Sequence, residues 1–290
     1  MSFVSFSFVV LAAFVHAGWN LLAKRAASVG PVFVFAYNVV ACVAYGPWAL
    51  YRLAHDSSHW SGAGLALVLV SGVLHLAYSL CLQRGYRVAD LSIVYPVARG
   101  TGPLLSSIGA FLILGEAPTL FGLAGLILVV GGILLIATSG DWRAFRRPGG
   151  QAGVRWGTVT GGLIASYTVV DAYAVKAVGI APVVLDWLSN LMRFVLLAPV
   201  AARDPGRAIA AMHGHWLTAI GVGLLSPLSY ILVLAALQNG APLSLVAPMR
   251  EMSMMVGALL AMLVLKERVG TGRLVGCAMV VGGVVFLATR

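Results

Sequence analysis

The 290-residue chain is 60% hydrophobic and only 10% charged, with a formal net charge of +10 and a mean hydropathy of +0.97. Soluble domains are about a quarter charged, so this composition excludes an ordinary soluble protein. It also leaves no length for a large soluble catalytic domain, because apolar runs long enough to cross a bilayer, roughly 20 residues each, recur from end to end.

The first run, 3–23, has the length of a signal peptide, and Val15-His16-Ala17 makes a weak cleavage site. It lacks a basic n-region, and the apolar stretch continues through Trp19 to Ala23, so it is expected to be a retained span. Nine more spans follow at 32–51, 62–83, 91–114, 120–138, 156–177, 182–202, 216–237, 243–265 and 273–288. The fourth and fifth are parted only by Gly115-Glu116-Ala117-Pro118, where a proline and a charge predict a turn. The expected fold is an all-α membrane protein of ten transmembrane helices.

The basic residues form no stripe interleaved with aromatics, so a nucleic-acid partner is not expected. They sit at the ends of spans instead. Thirteen of the nineteen Lys and Arg fall in the loops after odd-numbered spans, three fall on the opposite side (Arg52, Lys176, Arg290), and Arg99, Arg193 and Arg250 lie inside spans. The positive-inside rule then puts the odd loops in the cytoplasm of a bacterial inner membrane and both termini in the periplasm.

Cys42, Cys81 and Cys277 all lie in apolar runs without CxxC spacing, so neither a disulfide framework nor a metal site is expected, and each is predicted to be a buried small hydrophobe. There is no Walker A, HExxH or GxSxG sequence, hence no enzyme and no cofactor is expected. Gly221-Val222-Gly223 begins a dinucleotide fingerprint, but inside a span with no strand before it.

The two halves echo each other. Leu91-Ser92-Ile93-Val94-Tyr95-Pro96 returns as Leu243-Ser244-Leu245-Val246-Ala247-Pro248; Lys24, Asn38 and Pro47 return as Lys176, Asn190 and Pro199. Glu116 precedes Gly131-Gly132 at the same interval as Glu267 precedes Gly282-Gly283. The expected organisation is a five-helix repeat at 1–140, a basic connecting loop at 141–155, and a second five-helix repeat at 156–290. Five is odd, so the copies cross the membrane in opposite senses. Inverted repeats of this kind frame a central midplane site in transporters that work by alternating access.

Two five-helix repeats, Glu116 and Glu267 ending the fourth helix of each, and Gly-Gly in each fifth helix resemble the EamA-type drug/metabolite transporter superfamily along the whole chain. Its ten-helix amino-acid exporters have this size and arrangement. The resemblance implies export as the direction, helix-end roles for both glutamates and packing roles for Gly131, Gly132, Gly282 and Gly283. It assigns no substrate site.

Six ionisable residues lie within spans: Arg99, Arg193 and Arg250, with Asp171, Asp186 and Glu251. Each costs about 2.5–3.5 kcal/mol on translocon scales, so such groups face a partner, the bundle interior or water. Arg99 and Arg250 follow the repeat prolines Pro96 and Pro248, and proline frees a backbone carbonyl. They are candidates either to hold a substrate anion or to pair with Glu251, Asp171 or Asp186. Arg193 stands where the first half has Ala41 and is expected in a structural pair. His16 and His75 are candidate proton relays or buried hydrogen-bonded histidines. His75 with Tyr78 one turn on, and Tyr95 before the repeat proline, are candidate cavity residues; Trp19, Tyr37, Tyr167 and Tyr230 are aromatic candidates of less distinct placement. Met249, Met252, Met254 and Met255 around Arg250 fit ordinary packing or an adaptable apolar wall. Gly153, Gly157 and Gly161, and Gly272 with Gly276, have the spacing of close helix contacts.

The expected activity is secondary-active transport of a small zwitterionic or anionic metabolite, amino acids first. The alternatives are uptake of a small organic anion and, from another class, a membrane-embedded transferase. The expected partners are the lipid bilayer and a small-molecule substrate, with proton coupling as a candidate. No feature of the sequence sets an oligomeric state.

Overall fold

The computed structural model describes residues 1–26, 29–55, 61–89, 91–138, 143, 145, 150–257 and 270–288. Among these there are eleven helices and no strand: α1 (Phe3–Arg25), α2 (Pro31–His55), α3 (Gly62–Val88), α4 (Leu91–Ile113), α5 (Leu120–Thr138), α6 (Gly150–Lys176), α7 (Pro182–Ala202), α8 (Pro205–Ala211), α9 (Trp216–Gln238), α10 (Leu243–Arg250) and α11 (Thr271–Ala288). Local chemistry marks many of the ends. Ser61 caps α3 by accepting from the Gly64 amide at 3.1 Å, and Pro182 opens α7. Asp204 accepts from the Arg207 amide at 2.9 Å and starts α8, a short helix in a segment expected to be loop. The turn predicted between the fourth and fifth spans is present, with Gly115 at φ +67°.

Among the described residues seven helices are long and apolar enough to cross a membrane: α1 (through Ala23), α2, α3 (through Leu82), α5, α7, α9 and α11. Leu112, Leu120 and Leu217 are at least 80% exposed, as side chains facing lipid would be. The long helices outside that set, α4 and α6, are rich in Gly, Ser and Thr, and α4 holds two prolines. They pack along each other, and α6 also packs on α3. A helix walled by other helices needs fewer apolar residues than one bathed in lipid. Elsewhere α1 lies along α9, α2 along α7 and α9, α3 along α7, and α5 along α11.

Glycine makes two of these seams. On α6, Gly153, Gly157 and Gly161 meet Ile93, Val97 and Thr101 of α4; a methyl at Gly157 would stand 2.7 Å from Val97 Cβ and 2.9 Å from the Val94 carbonyl oxygen. Between α5 and α11, a methyl at Gly132 would lie 2.7 Å from the Gly276 carbonyl oxygen, and one at Gly283 would lie 2.8 Å from that of Gly125. The expected packing roles therefore hold for Gly132 and Gly283. Gly131 faces only the tip of Met279, and Gly282 faces open space, which corrects the expectation for Gly282. The three cysteines are free, as expected, but partly exposed rather than buried.

The ninth expected span is not one continuous helix. Helix α10 ends at Arg250, Glu251 sits in a turn, and 252–257 are again helical. Pro248 has no N–H for the Ser244 carbonyl four residues earlier. Ser107 of α4 lies 3.5 Å from that carbonyl and donates its hydroxyl there instead, while the Glu251 amide bonds back to Pro248 at 3.0 Å. Helix α4 runs on through Pro96 and Pro103 unbroken.

Gly132→Val should lower stability by about 1–3 kcal/mol through overpacking of a backbone contact, seen as a fall in the thermal midpoint in detergent. Gly282→Ala should leave that midpoint unchanged.

Candidate functional site

The break after α10 places two arginines and a glutamate at the centre of the bundle. Glu251 is fully buried; Arg99 reaches it from α4 with Nε 3.0 Å from Oε2, and Arg250 approaches with Nε 3.6 Å from Oε1. Arg99 also lies 3.0 Å from His16 Nε2 of α1 through Nη2, donates to Ser253 at 3.1 Å, and has its guanidinium carbon 5.7 Å from the centre of the Tyr95 ring. Arg99 thus has two hydrogen-bonding neighbours at Nη2, and its Nε is held by the ion pair alone. Arg250, 4% exposed, has less: its Nε has only the longer ion pair to Glu251, and its Nη2 makes no hydrogen bond. The formal charge of Arg99, Arg250 and Glu251 together is +1. A buried guanidinium with idle donors in a net-positive cluster is complementary to an anion.

A second polar cluster joins α3, α6 and α9. Asp171 is fully buried, accepts from the Tyr230 hydroxyl at 2.5 Å and lies 3.8 Å from His75 Nε2. His75 stacks on Tyr167 with ring centres 4.0 Å apart, and Tyr78 meets Tyr167 edge-on at 5.6 Å. Tyr167 lies within electrostatic reach of Arg250, Arg99, Glu251 and Asp171.

A third group runs along α7. Asn190 donates to Asp186 Oδ2 at 2.8 Å and accepts from Arg193 Nη2 at 2.8 Å, and Arg193 Nε reaches the Ser189 carbonyl at 3.3 Å. Asn190 relays the pairing expected of Arg193, so cation and acid are joined through an amide rather than directly. Met249 is buried, and Met252 and Met254 pack on the main apolar core, as packing residues do.

Glu116 has a role that the sequence did not show. It lies after α4 beside a turn, with no basic residue near it in the sequence. Its carboxylate accepts the first two backbone amides of α10, Leu243 at 2.6 Å and Ser244 at 2.9 Å, and pairs with Lys176 at 3.0 Å. Amides at a helix start have no partner within the helix, and an anion there is favoured by the dipole. Lys176 also donates to the Ala241 carbonyl at 3.2 Å. One carboxylate therefore ties α4, α6 and α10 together at one end of the bundle. Glu267, its counterpart in the sequence repeat, lies outside the described residues. Among the described residues no group of His, Cys, Asp and Glu is arranged to hold a metal ion.

The structure thus brings Arg99, Arg250, Glu251, His16 and Tyr95 into one centre and His75, Tyr78 and Asp171 into the next, while Asp186 and Arg193 stand on α7. Sequence reasoning missed Ser253, Ser71 and Asn190 as site members; only Asn190 carried a signal, as the repeat partner of Asn38.

Apolar helices enclosing charges that are paired only within the bundle define a multi-pass membrane protein with a polar centre. The model of the EamA-like transporter family matches residues 4–138 and again 151–289, and the chain belongs to that family, within the drug/metabolite transporter superfamily. Its members are transporters, not enzymes, acting on small molecules from within the bilayer. Over 80 residues the chain is 34% identical to multidrug resistance protein EbrB of Bacillus subtilis (strain 168) and 32% identical to that of Bacillus atrophaeus. Each match takes in 28% of this chain and 63% of the relative, so the chain spans less than two thirds of those relatives. One protein of known crystal structure superposes with a TM-score of 0.77 at 14% identity, covering 98% of this chain and 96% of the other, a likeness of fold.

Removing Glu251 leaves Arg99 and Arg250 facing each other without a counter-ion. Glu251→Gln is expected to cost about 3–5 kcal/mol, measured by chemical unfolding in detergent. At Glu116 burial favours the neutral acid, but hydrogen bonds from Ser244, Leu243 and Lys176 outweigh it and hold the carboxyl below its ordinary value of 4.5. A carboxylate with a depressed folded pKa stabilises above its unfolded pKa, and that stabilisation is lost as pH falls through the folded value. Glu116→Gln should therefore lower the thermal midpoint at pH 7, with the difference from wild type shrinking as pH is lowered below 4.5.

Proposed function

We propose that this protein is a secondary-active carrier that moves small zwitterionic or anionic metabolites across a bacterial inner membrane, with amino acids as the leading class and export as the direction. The observation that carries the anion specificity is Arg250, buried in a centre of net positive charge with Nη2 making no hydrogen bond and Nε held only by the 3.6 Å ion pair to Glu251. A substrate carboxylate docks on those donors, with Tyr95, His75 and Tyr78 contributing walls and Arg99 held in place by Glu251, His16 and Ser253.

Alternating access is supported by how the chain crosses between its halves. Residues 1–140 and 156–290 are taken as two oppositely oriented five-helix repeats, with α10, the turn at Glu251 and the helix after it forming one interrupted crossing. The packing of α1 on α9 and of α3 on α6 has the reciprocity that a two-fold relation between such repeats requires. Interrupted helices at a repeat interface are where carriers of this design hold their ligands. Glu116, from the first half, closes one end of the bundle by capping α10 of the second. The Lys and Arg distribution supports periplasmic termini.

The name of the EbrB relatives, multidrug resistance protein, favours a second reading in which apolar drugs are the cargo. The net positive charge around Arg250 argues for an anionic group on whatever is carried.

The test is counterflow in proteoliposomes with labelled amino acids, organic anions and cationic drugs. Exchange of compounds bearing a carboxylate, emerging chemically unchanged, is expected; exchange of cationic drugs alone would overturn the anion reading. Loss of one charge-assisted hydrogen-bonding group is worth about 1.5–3 kcal/mol. Arg250→Gln should therefore weaken apparent affinity for the carboxylate by about ten- to a hundredfold. A reporter fused after residue 290 should report the periplasm.

A further inference from the structure

Asp171 is a carboxylate with an oxygen to spare. Tyr230 donates to Oδ2, while Oδ1 makes no hydrogen bond although the residue is fully buried. The Ser71 hydroxyl lies close to this carboxylate but forms no hydrogen bond with Oδ1. Leaving a buried carboxylate oxygen unpaired is unfavourable unless something else fills the place.

His75 sharpens the argument. Its Nδ1 is 2.9 Å from the Ser71 carbonyl oxygen, which can only accept, so Nδ1 carries the proton. In the neutral ring the lone pair is then on Nε2, and Nε2 is the atom that faces Asp171 Oδ2, at 3.8 Å. Two acceptors confront each other, too far apart to bond. Tyr167 and Tyr230 close the surroundings, the first stacked on His75 with ring centres 4.0 Å apart and the second meeting it at a steep angle with centres 5.5 Å apart. A spare carboxylate oxygen, an inward-facing imidazole lone pair and aromatic walls together ask for a compact cation with several N–H donors.

We infer that Asp171, with His75, Tyr167 and Tyr230, is the subsite for the primary ammonium group of a zwitterionic substrate. The site rests on the reading of Arg250 as the carboxylate anchor, because a second, acidic pole is what selects an amino acid over a simple anion. Tyr167 and Tyr230 both lie within electrostatic reach of Asp171 and of Arg250. Bound, the ammonium donates to Asp171 Oδ1 and to His75 Nε2, and the Tyr230 hydroxyl keeps Oδ2. In the structure the rings close directly on Asp171, so entry requires the helices carrying them to part.

The experiment is counterflow with the full chain in proteoliposomes, using three matched sets built on the side chains of alanine, leucine and phenylalanine. Each set holds the amino acid, the same skeleton with the amine removed and the same skeleton with the carboxylate removed. The wild type should prefer at least one amino acid over its deaminated partner by about tenfold or more. In Asp171→Asn that preference should collapse, the amino acid losing about tenfold more exchange than its deaminated partner. Equal exchange of both compounds by the wild type in every set would overturn the ammonium site without needing any variant. A loss in Asp171→Asn of the same factor for both compounds would overturn it as well, marking Asp171 as structural. Exchange of the amines alone, lost in Asp171→Asn, would uphold the ammonium site and overturn the carboxylate reading. No exchange in any set would overturn both.

Discussion

A charge in the low-dielectric centre of a helix bundle has to meet its opposite there, and in this protein the opposites come from different parts of the chain. Glu251 sits between Arg99 of α4 and Arg250 of α10, and Arg99 is held further by His16 of α1 and by Ser253. Three crossing segments are thereby fixed to one another at a single point. The third charge makes the centre asymmetric: one guanidinium has hydrogen-bonding neighbours besides the shared carboxylate, the other has only the longer ion pair. Rigidity and receptivity thus come from one arrangement, since the better-held arginine positions the acid that leaves its neighbour partly free.

The two glycine seams serve the same constraint. Helices α4 and α6 approach closely enough for α6 glycines to touch the α4 backbone, and this brings Asp171 on α6 and Arg99 on α4 near a common ring, Tyr167. A larger residue at Gly157 would push the helices apart and separate the groups as well as the backbones. Packing at this seam and polarity at the centre are therefore not independent properties.

Much of this was legible in the sequence, and the failures have definite causes. Apolar runs and loop charges gave the helices, because crossing a bilayer imposes length and composition locally. The six charges inside the spans were visible for the same reason: each violates its surroundings. Their pairing was not, because periodicity says nothing of which distant residue faces which. Glu116 looked solitary beside its turn, yet its partners lie 60, 127 and 128 positions away. Pro248 was seen, but a proline alone does not decide between a kink and a break. Pro96 and Pro103 are absorbed within α4, whereas at Pro248 a serine from a neighbouring helix takes the freed carbonyl and the chain turns. Gly282 shared the doublet pattern of Gly283 but faces the other way, since neighbours in a helix point about 100° apart.

The distance along the chain between Arg99 and its counter-ion has a meaning for how the protein is made. Residue 251 is polymerised 152 positions after residue 99, and at about 5–20 residues per second that is an interval of roughly 8–30 s. Throughout it, α4 is offered to the bilayer with an arginine in its interior and without the acid it pairs with, and for about the first half of it the glycine-lined neighbour α6 is also still to come. The nascent first half must hold that cation near the headgroups or against water until the second half arrives. The pairing that unites the finished bundle is thus also what makes its early insertion provisional, with α4 settling only when a later helix reaches it.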